Sequence, residues 1–489
     1  MTAHFMATGN TDNLRNKTIT GAFWQLLQKG SVQLVSFVVS IILARLIDPT
    51  EFGIVAMASI FMAVAGAIAD GGLGTSLVQR KEIDELDQDT VFHFGMLISA
   101  ALYAILFFCA PLISRLYHTE ELTAIVRVAS LSLFATSFNS VQGALVMRAM
   151  DFKKYFWANL VATLISAAVG ITMAYMRYGA WALVVQNLTR SVAAVLVLFA
   201  LVRWLPKLRF SRARLKQLYA FGLNLMGANL IGTFFNELRG FLIGLRFQPA
   251  DLAFFNRGNS IPGLINDNVN GTISTVLFPA ISKLQDDKAA VKSSMRHAMM
   301  TSVFIMAPLM LLLAATSQQI ILLLYTDKWI QAVPFMQVIV FYHLFSIVGL
   351  ANLQALNAIG RSDITFKLEF IKKPILLGIL LYTCTISPFA LSIGTAIYAI
   401  IGAAVNAFPN RKLIGYSYRE QLADVLPQMG LALAAGAIAW VIGRLNVPVL
   451  LLIILQWIAG GAAYLLLARV LHLESYSYAI RMIKEYHHR

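Results

Sequence analysis

Residues 19–46 read ITGAFWQLLQKGSVQLVSFVVSIILARL, the hinge IDPTE occupies 47–51, and residues 52–78 read FGIVAMASIFMAVAGAIADGGLGTSLV. Wound as a helix at about 1.5 Å per residue, either run is long enough to cross the apolar core of a bilayer. Outward from this pair the same alternation of apolar run and short polar hinge continues along the chain. Further runs lie at approximately 91–114, 122–146, 156–175, 179–202, 219–247, 252–281, 297–324, 332–359, 369–386, 388–408, 426–444 and 447–470. No hydrophilic stretch is long enough to fold as a soluble domain. The expected fold is an all-α polytopic membrane protein of about 14 transmembrane helices.

Composition excludes a water-soluble alternative. With 58% hydrophobic and 13% charged residues over 489 positions, a soluble chain would carry more apolar surface than its interior could hide. Cys109 and Cys384 each stand alone in an apolar run, so neither a disulfide framework nor a metal cluster is expected, and both read as packing residues. Residues 1–16 lack the apolar core of a signal peptide, so the first span is expected to be retained. The net charge of +15 would suit a nucleic-acid binder, but its distribution points to a membrane. Loops on one side of the topology, ends included, hold 28 Lys and Arg residues, among them the run Arg203, Lys207, Arg209, Arg212, Arg214 and Lys216; the other side holds 6. That bias places both termini in the cytoplasm, and no nucleic-acid partner is expected.

Five cations fall inside apolar runs, away from the run ends: Lys29, Arg127, Arg190, Arg239 and Arg257. A charge near the bilayer centre costs about 3 kcal/mol on insertion scales, so each must face a partner, the bundle interior or water. The acids inside runs are Asp70, Glu237 and Asp267. One reading pairs them structurally, Lys29 with Asp70 and Glu237 with Arg257. Five cations against three acids still leave a positive excess, which suits an anionic substrate.

Helical periodicity gathers polar residues onto faces. Gln25, Lys29, Gln33, Ser36 and Ser40 form a stripe on the first span, and Ser59, Gly66, Asp70 and Gly74 a comparable one on the second. The seventh has Asn229, Thr233, Asn236 and Gly240. The eighth carries Asn256, Arg257, Asn259, Asn266, Asp267, Asn268 and Asn270 around Pro262-Gly263, which is expected to interrupt the helix. Stripes of Ser, Asn and Gly also serve as glue between transmembrane helices, but the eighth span has more polar groups than one packing seam can satisfy.

The first two spans of each half correspond. ARLIDPTEFG at 44–53 matches LRFQPADLAF at 245–254, aligning Pro49 with Pro249 and Glu51 with Asp251 at an offset of 200 residues. Such a repeat predicts two pseudo-symmetric lobes around a central cavity. The expected division is an N-terminal lobe over 1–205, a basic cytoplasmic linker over 206–218, a C-terminal lobe over 219–425, and two extra spans with a cytoplasmic tail over 426–489.

A family resemblance rests on several stretches. The first half has KTITGAFWQLLQKGSVQLVSFVVSIILARLIDPTEFGIVAMASIF at 17–61, DGGLGTSLVQRKEID at 70–84, YGAWALVVQNL at 178–188 and LPKLRFS at 205–211. The second has FGLNLMGANLIG at 221–232, FFNRGNSIPGLINDNVNGTISTVLFPAISKLQDD at 254–287, LLLYTDKWIQAVPFMQV at 322–338 and LNAIGRSD at 356–363. Together these resemble the polysaccharide flippases of the multidrug, oligosaccharidyl-lipid and polysaccharide exporter superfamily, in particular the Wzx branch, similar to colanic acid exporters. The resemblance implies a bacterial inner-membrane flippase that turns undecaprenyl-diphosphate-linked oligosaccharides from the cytoplasmic to the periplasmic leaflet for exopolysaccharide or lipopolysaccharide synthesis. Polysaccharide polymerase and export machinery would be its partners.

On that reading Lys29, Arg190, Arg239 and Arg257 compensate the diphosphate. Asn229, Asn236, Asn256, Asn259 and Asn266 line the sugar-bearing cavity, and Gln25 and Gln33 extend its wet face. No cofactor is expected. The chain has no Gly-rich phosphate loop, so an ion or potential gradient replaces ATP as the expected energy source. Asp70, Glu237 and Asp267 are the candidate coupling sites. Asp70 can equally cap a break in the second helix, and His343 is either a further titratable group or a packing residue. Two other classes compete. A membrane polymerase or ligase needs an extended external loop, which is missing here, and a drug or cation exporter of the same superfamily would prefer a negative cavity.

Overall fold

The structure, a computed structural model, describes residues 3–487. Of the cations counted above, Arg489 lies outside this range, as do the side chains of Arg15, Lys17 and Lys484. The described residues are helical with no strand.

Helices α1 (Ala3–Leu46) and α2 (Pro49–Asp70) are separated by the Ile47-Asp48 turn, with Pro49 fixing the first turn of α2. Gly71 and Gly72 then take φ of 55° and 65°, a left-handed pair that ends α2 and starts the short α3 (Leu73–Gln79). A Cβ on Gly72 would stand 2.8 Å from the carbonyl oxygen of Gly222, so the break admits close backbone approach. There follow α4 (Glu85–Leu116), α5 (Leu122–Ala129), α6 (Ser132–Ala149), α7 (Phe152–Tyr175), α8 (Ala180–Val202) and α9 (Arg212–Arg246). The chain continues through α10 (Pro249–Ser282), α11 (Lys288–Ala315), α12 (Ser317–Tyr325), α13 (Ala332–Ala358), α14 (Ser362–Thr383), α15 (Pro388–Leu413), α16 (Tyr418–Ile442), α17 (Val449–Val470) and α18 (Glu474–His487).

Among the described residues 11 helical segments are long and apolar enough to cross a membrane, α2 with α3 and α5 with α6 each counting as one. The expected spans on α9, α10 and α14 are also long helices but carry more polar groups. Lys367, Lys372 and Lys373, three of the 28 cations counted above as loop residues, lie within α14, where Lys372 is buried and pairs with Glu369 at 2.5 Å. Pro262 does not interrupt its helix as expected: α10 runs through it. The basic segment after α8 is likewise only partly linker, because Ser211 caps α9 and residues from Arg212 onward are helical.

The chain forms two compact units, residues 3–250 and 251–487. In the first, α7 packs on α8 and α1, and α2 packs on α9 and α6; in the second, α13 packs on α15 and α11, and α11 on α16. Glu51 has a structural task, since its Oε2 accepts from the Ala180 amide at 2.8 Å and so caps α8.

A second internal repeat emerges from proline-bearing helices. Phe107-x-x-Ala110-Pro111-Leu112 in α4 matches Phe304-x-x-Ala307-Pro308-Leu309 in α11. Each proline lacks the N–H that would pair with the carbonyl four residues earlier, an expensive vacancy in hydrocarbon. In the first unit Arg127 Nε donates to the Phe107 oxygen at 3.2 Å, its guanidinium 4.2 Å from the centre of the Phe107 ring. In the second the Tyr464 hydroxyl donates to the Phe304 oxygen at 3.1 Å. Arg127 is thus occupied with backbone repair.

Polar helix ends are tied down by charge. Asp84 caps α4 in a reciprocal box with Asp87, and Arg214 reaches Asp84 at 3.1 Å. Lys207 binds Glu85 at 2.6 Å while its amide donates to Asp89 at 3.0 Å, so the segment after α8 lies on the start of α4. The Asp87 amide, with Arg214 nearby, holds the Asp84 carboxyl below the usual carboxylate range. In the second unit Arg296 forks onto Asp424 (2.8 and 2.7 Å) and onto Glu474 (2.8 and 2.6 Å), fixing α18 to α11 and α16. Hydrogen bonds from Arg296 hold the Glu474 carboxyl below its ordinary range.

Candidate functional site

In the first unit most of the candidate polar groups reach the surface. Gln25 and Lys29 are exposed on α1 and Gln33 is half-buried below them; Arg190 is exposed on α8, next to exposed Asn187. Asn229 and Asn236 are exposed on α9, where Glu237 lies half-buried beside Arg239. A cavity of about 210 Å3 between α2, α5, α6 and α8 takes in Ser59 of the second-span stripe together with Asn187 and Ser191. The hydroxyls of Ser59 and Ser191 donate to carbonyls of their own helices, at 2.8 and 3.1 Å, leaving their lone pairs and the Asn187 amide for a guest. Arg190 stands on the same turn of α8.

The expected Lys29–Asp70 pair does not form. Asp70 accepts instead from the Gly72 amide at the α2–α3 break, so it caps that turn, while Lys29 points to the surface. The reason is the glycine pair itself: two left-handed residues turn the Gly72 N–H back toward the last carboxylate of α2.

The second unit treats its polar groups differently. Arg257 is 8% exposed, its guanidinium 4.6 Å from the Tyr325 ring centre and 4.7 Å from that of Trp329, both rings fully buried. Two aromatic faces supply part of the stabilisation that a buried cation loses with its water. Asn259 Oδ1 lies 2.9 Å from His343 Nε2, and the ring is 4% exposed. Asn266 Oδ1 accepts from Ser346 at 3.2 Å and from Asn270 at 3.1 Å, and Gln354 donates to Ser274 at 3.1 Å. These bonds form a ladder from α10 to α13. His343 accordingly packs inside a hydrogen-bonded seam. Asn256, Asp267 and Asn268 are exposed on α10.

Several partners escaped sequence reasoning. Tyr325 and Trp329 lie some seventy residues beyond Arg257, and only the matching Leu-Tyr turns at 116–117 and 324–325 could have signalled the cage. Asn352 exchanges hydrogen bonds with Gln421 at 2.8 and 2.9 Å and accepts from Asn410 at 2.7 Å, all three fully buried. Asn352 lies in one run while Asn410 and Gln421 fall between runs, so the three form no stripe. Among the described residues no group of three or more His, Cys, Asp or Glu is placed to hold a metal.

Comparison with known proteins agrees with this architecture. The chain is 24% identical over 436 residues, 88% of both chains, to the lipopolysaccharide biosynthesis protein WzxC of Escherichia coli K12. It is 24% identical over 325 residues, 66% of both chains, to the succinoglycan biosynthesis transport protein ExoT of Rhizobium meliloti. Its fold resembles the lipid II flippase MurJ in an inward closed conformation, with a TM-score of 0.72 at 15% identity over 93% of this chain and 99% of that one. It also resembles an inward-facing multidrug resistance MATE transporter of the MOP superfamily, with a TM-score of 0.60 at 16% identity over 78% and 94%. The family model described as polysaccharide biosynthesis protein matches residues 42–334, more than half of the sequence. This multi-pass helical membrane protein therefore belongs to the polysaccharide biosynthesis protein family.

Proposed function

We propose that the protein is a flippase that carries undecaprenyl-diphosphate-linked oligosaccharide repeat units across the bacterial inner membrane, from the cytoplasmic to the periplasmic leaflet, with both termini in the cytoplasm. The observation that carries this reading is the exposure of Lys29 and Arg190, with Gln25 and Asn187, on helices otherwise apolar enough to span the bilayer. Cations and amides on such surfaces are stable only against water or a polar guest, so these faces line a hydrated path. A diphosphate needs cations, sugars need amide and hydroxyl partners, and a polyprenyl tail stays in lipid beside the path. The relatives named for lipopolysaccharide and succinoglycan synthesis support the sugar-lipid substrate class.

In this proposal Lys29, Arg190, Arg239 and Arg257 meet the diphosphate, and Asn229, Asn236, Asn256, Asn259 and Asn266 meet the sugars or hold the helices that do. The polar faces open alternately to the two sides, driven by an ion or potential gradient. Asp70, Glu237 and Asp267 are the groups to test for coupling, with Asp70 demoted by its capping bond. Proteoliposomes holding a fluorescent lipid-linked oligosaccharide provide the experiment. The wild type should flip it under an imposed gradient, and Lys29→Met with Arg190→Met should lose flipping while inserting normally. A wild type that leaves this lipid in place, or exports a cationic drug instead, would overturn the proposal.

A further inference from the structure

At one end of the first unit, α7 begins beside residues 20–24 of α1. α7 passes from the charged residues Asp151, Lys153 and Lys154 into the apolar run that opens at Phe156, so this end of the helix pair stands where hydrocarbon gives way to water. A crevice of about 310 Å3 opens there, bounded by Thr20, Gly21, Trp24, Asp151, Phe152 and Lys153. Its walls are close-fitting: a Cβ on Gly21 would come within 2.9 Å of the Phe152 ring, so a larger residue at that position would fill the floor. Trp24 stacks obliquely on Phe156, ring centres 5.3 Å apart, and Trp157 is 46% exposed beside it, an aromatic cluster of the kind that anchors at a membrane interface.

The charges around this crevice select its guest. Asp151 pairs with Lys154 at 3.3 Å, which neutralises both. The nearby Arg148 spends its guanidinium on the Leu77, Val78, Arg80 and Lys81 carbonyls. Lys153 remains, its ammonium 5.7 Å from the Trp24 ring centre and exposed to solvent, with no hydrogen bond or ion pair among the described residues. Among the described residues Lys153 is the one cation left for a ligand at this crevice, and an ammonium above an aromatic floor matches a lipid carrying one negative charge.

We infer that this crevice is a binding site for a monoanionic phospholipid headgroup, with Lys153 on the phosphate and Trp24 and Phe152 against the glycerol and first acyl carbons. The inference rests on α1 and α7 crossing the membrane and is independent of what the protein transports. The lipid would hold the foot of α1 against α7, the helix it packs on in this unit.

Lipid retention measured by native mass spectrometry, on protein purified in detergent and titrated with phosphatidylglycerol or phosphatidylcholine, tests the site without any transport assay. The wild type should retain phosphatidylglycerol in preference. Lys153→Ala should cut that preference about fivefold, the worth of one lysine near an anionic surface, and Gly21→Leu should remove it by filling the crevice. Lys154→Ala, which frees Asp151, should weaken it less than Lys153→Ala. If a variant is poorly folded, competition on the wild type decides. Displacement by millimolar inorganic phosphate would make this a free-anion site, and displacement by substoichiometric undecaprenyl diphosphate would make it part of the substrate path. Either result, or equal retention of both phospholipids, overturns the inference.

Discussion

At position 57 the first unit buries a methionine; at the matching position of the second, 200 residues on, stands Arg257. The surroundings are otherwise alike. Both follow an aligned proline and acid at the start of a long helix, and both lie near a buried tyrosine that ends a helix and is followed by a left-handed residue. In the first unit this is Tyr117, followed by His118 at φ 51°, and Tyr117 and Met57 press on Gly244 from 2.6 and 3.2 Å of where its Cβ would stand. In the second it is Tyr325, followed by Thr326 at φ 74°, and its ring faces Arg257. The first unit builds this junction with a thioether, so the repeat itself needs no charge there. A guanidinium 8% exposed in a membrane protein is costly, and retaining one where an apolar side chain of similar length suffices points to work done by the charge.

The sharpest test exchanges the two residues. Met57→Arg should be the most damaging change: it buries a cation beside Tyr117 without a counterpart of Trp329, and breaking polar balance of this kind costs about 3–5 kcal/mol. The variant should be degraded or fail to extract as a monodisperse protein. If Arg257 meets the diphosphate as proposed, Arg257→Met should reach the membrane in normal amounts yet lose roughly a hundredfold in flipping rate, the scale expected when a buried anion loses its cationic partner. Arg257→Lys should recover only part, since an ammonium lacks the planar fork. If Arg257→Met is itself degraded, the arginine belongs to the scaffold and the comparison fails.

The proline-bearing helices extend the same comparison at smaller cost. Phe107 and Phe304 each have a carbonyl orphaned by a proline four residues on, one repaired by Arg127 and the other by Tyr464. Arg127→Met and Tyr464→Phe should each lower thermal stability by about 1–3 kcal/mol, the penalty of a buried acceptor left unpaired. Restoring the missing N–H should rescue them: Pro111→Ala should offset Arg127→Met, and Pro308→Ala should offset Tyr464→Phe, in double-mutant cycles read by fluorescence-detected unfolding. Additive losses would show that the two donors act on something other than the orphaned carbonyls.

Much of this architecture was legible because its signals are local. Apolar runs announce helices, Gly71-Gly72 announces a break, and the Pro49 and Pro249 turns announce a repeat. The site was legible only in outline. Periodicity found α10 as the most polar helix but could not say that Asn259 and Asn266 spend their amides on α13, because His343 and Ser346 are some eighty residues away. Arg127 read as a surplus cation because nothing local links it to Pro111. Lys372 was assigned to a loop because charges near a span end look alike whether they sit before the helix or inside its first turns. The buried amides Asn352, Asn410 and Gln421 were missed for the opposite reason: single polar residues on three separate helices become a cluster only when the helices pack.

The smallest expected effect separates the charged ends of the two units. In the first, Asp84 and its neighbours hold the segment after α8; in the second, Glu474 holds α18 through Arg296. Both carboxyls titrate below their ordinary values in the folded protein, so the stability they contribute is fully present above those values and is lost only as the pH falls through the depressed ones. Between pH 7 and pH 5 neither clamp should loosen. Below about pH 4, where ordinary carboxylates protonate, both should begin to release. Hydrogen exchange of residues 205–215 and of α18 would report this. The two should still differ. The first clamp is spread over Lys207, Arg209 and Arg214 on exposed carboxylates, where solvent and salt screen each pair, so salt alone should loosen it. The second passes through one guanidinium forked onto two carboxylates, with Tyr416 donating to Asp424 at 2.6 Å, and should resist salt but fail on Arg296→Lys. Equal salt sensitivity of the two segments would mean that the fork adds nothing beyond its charges.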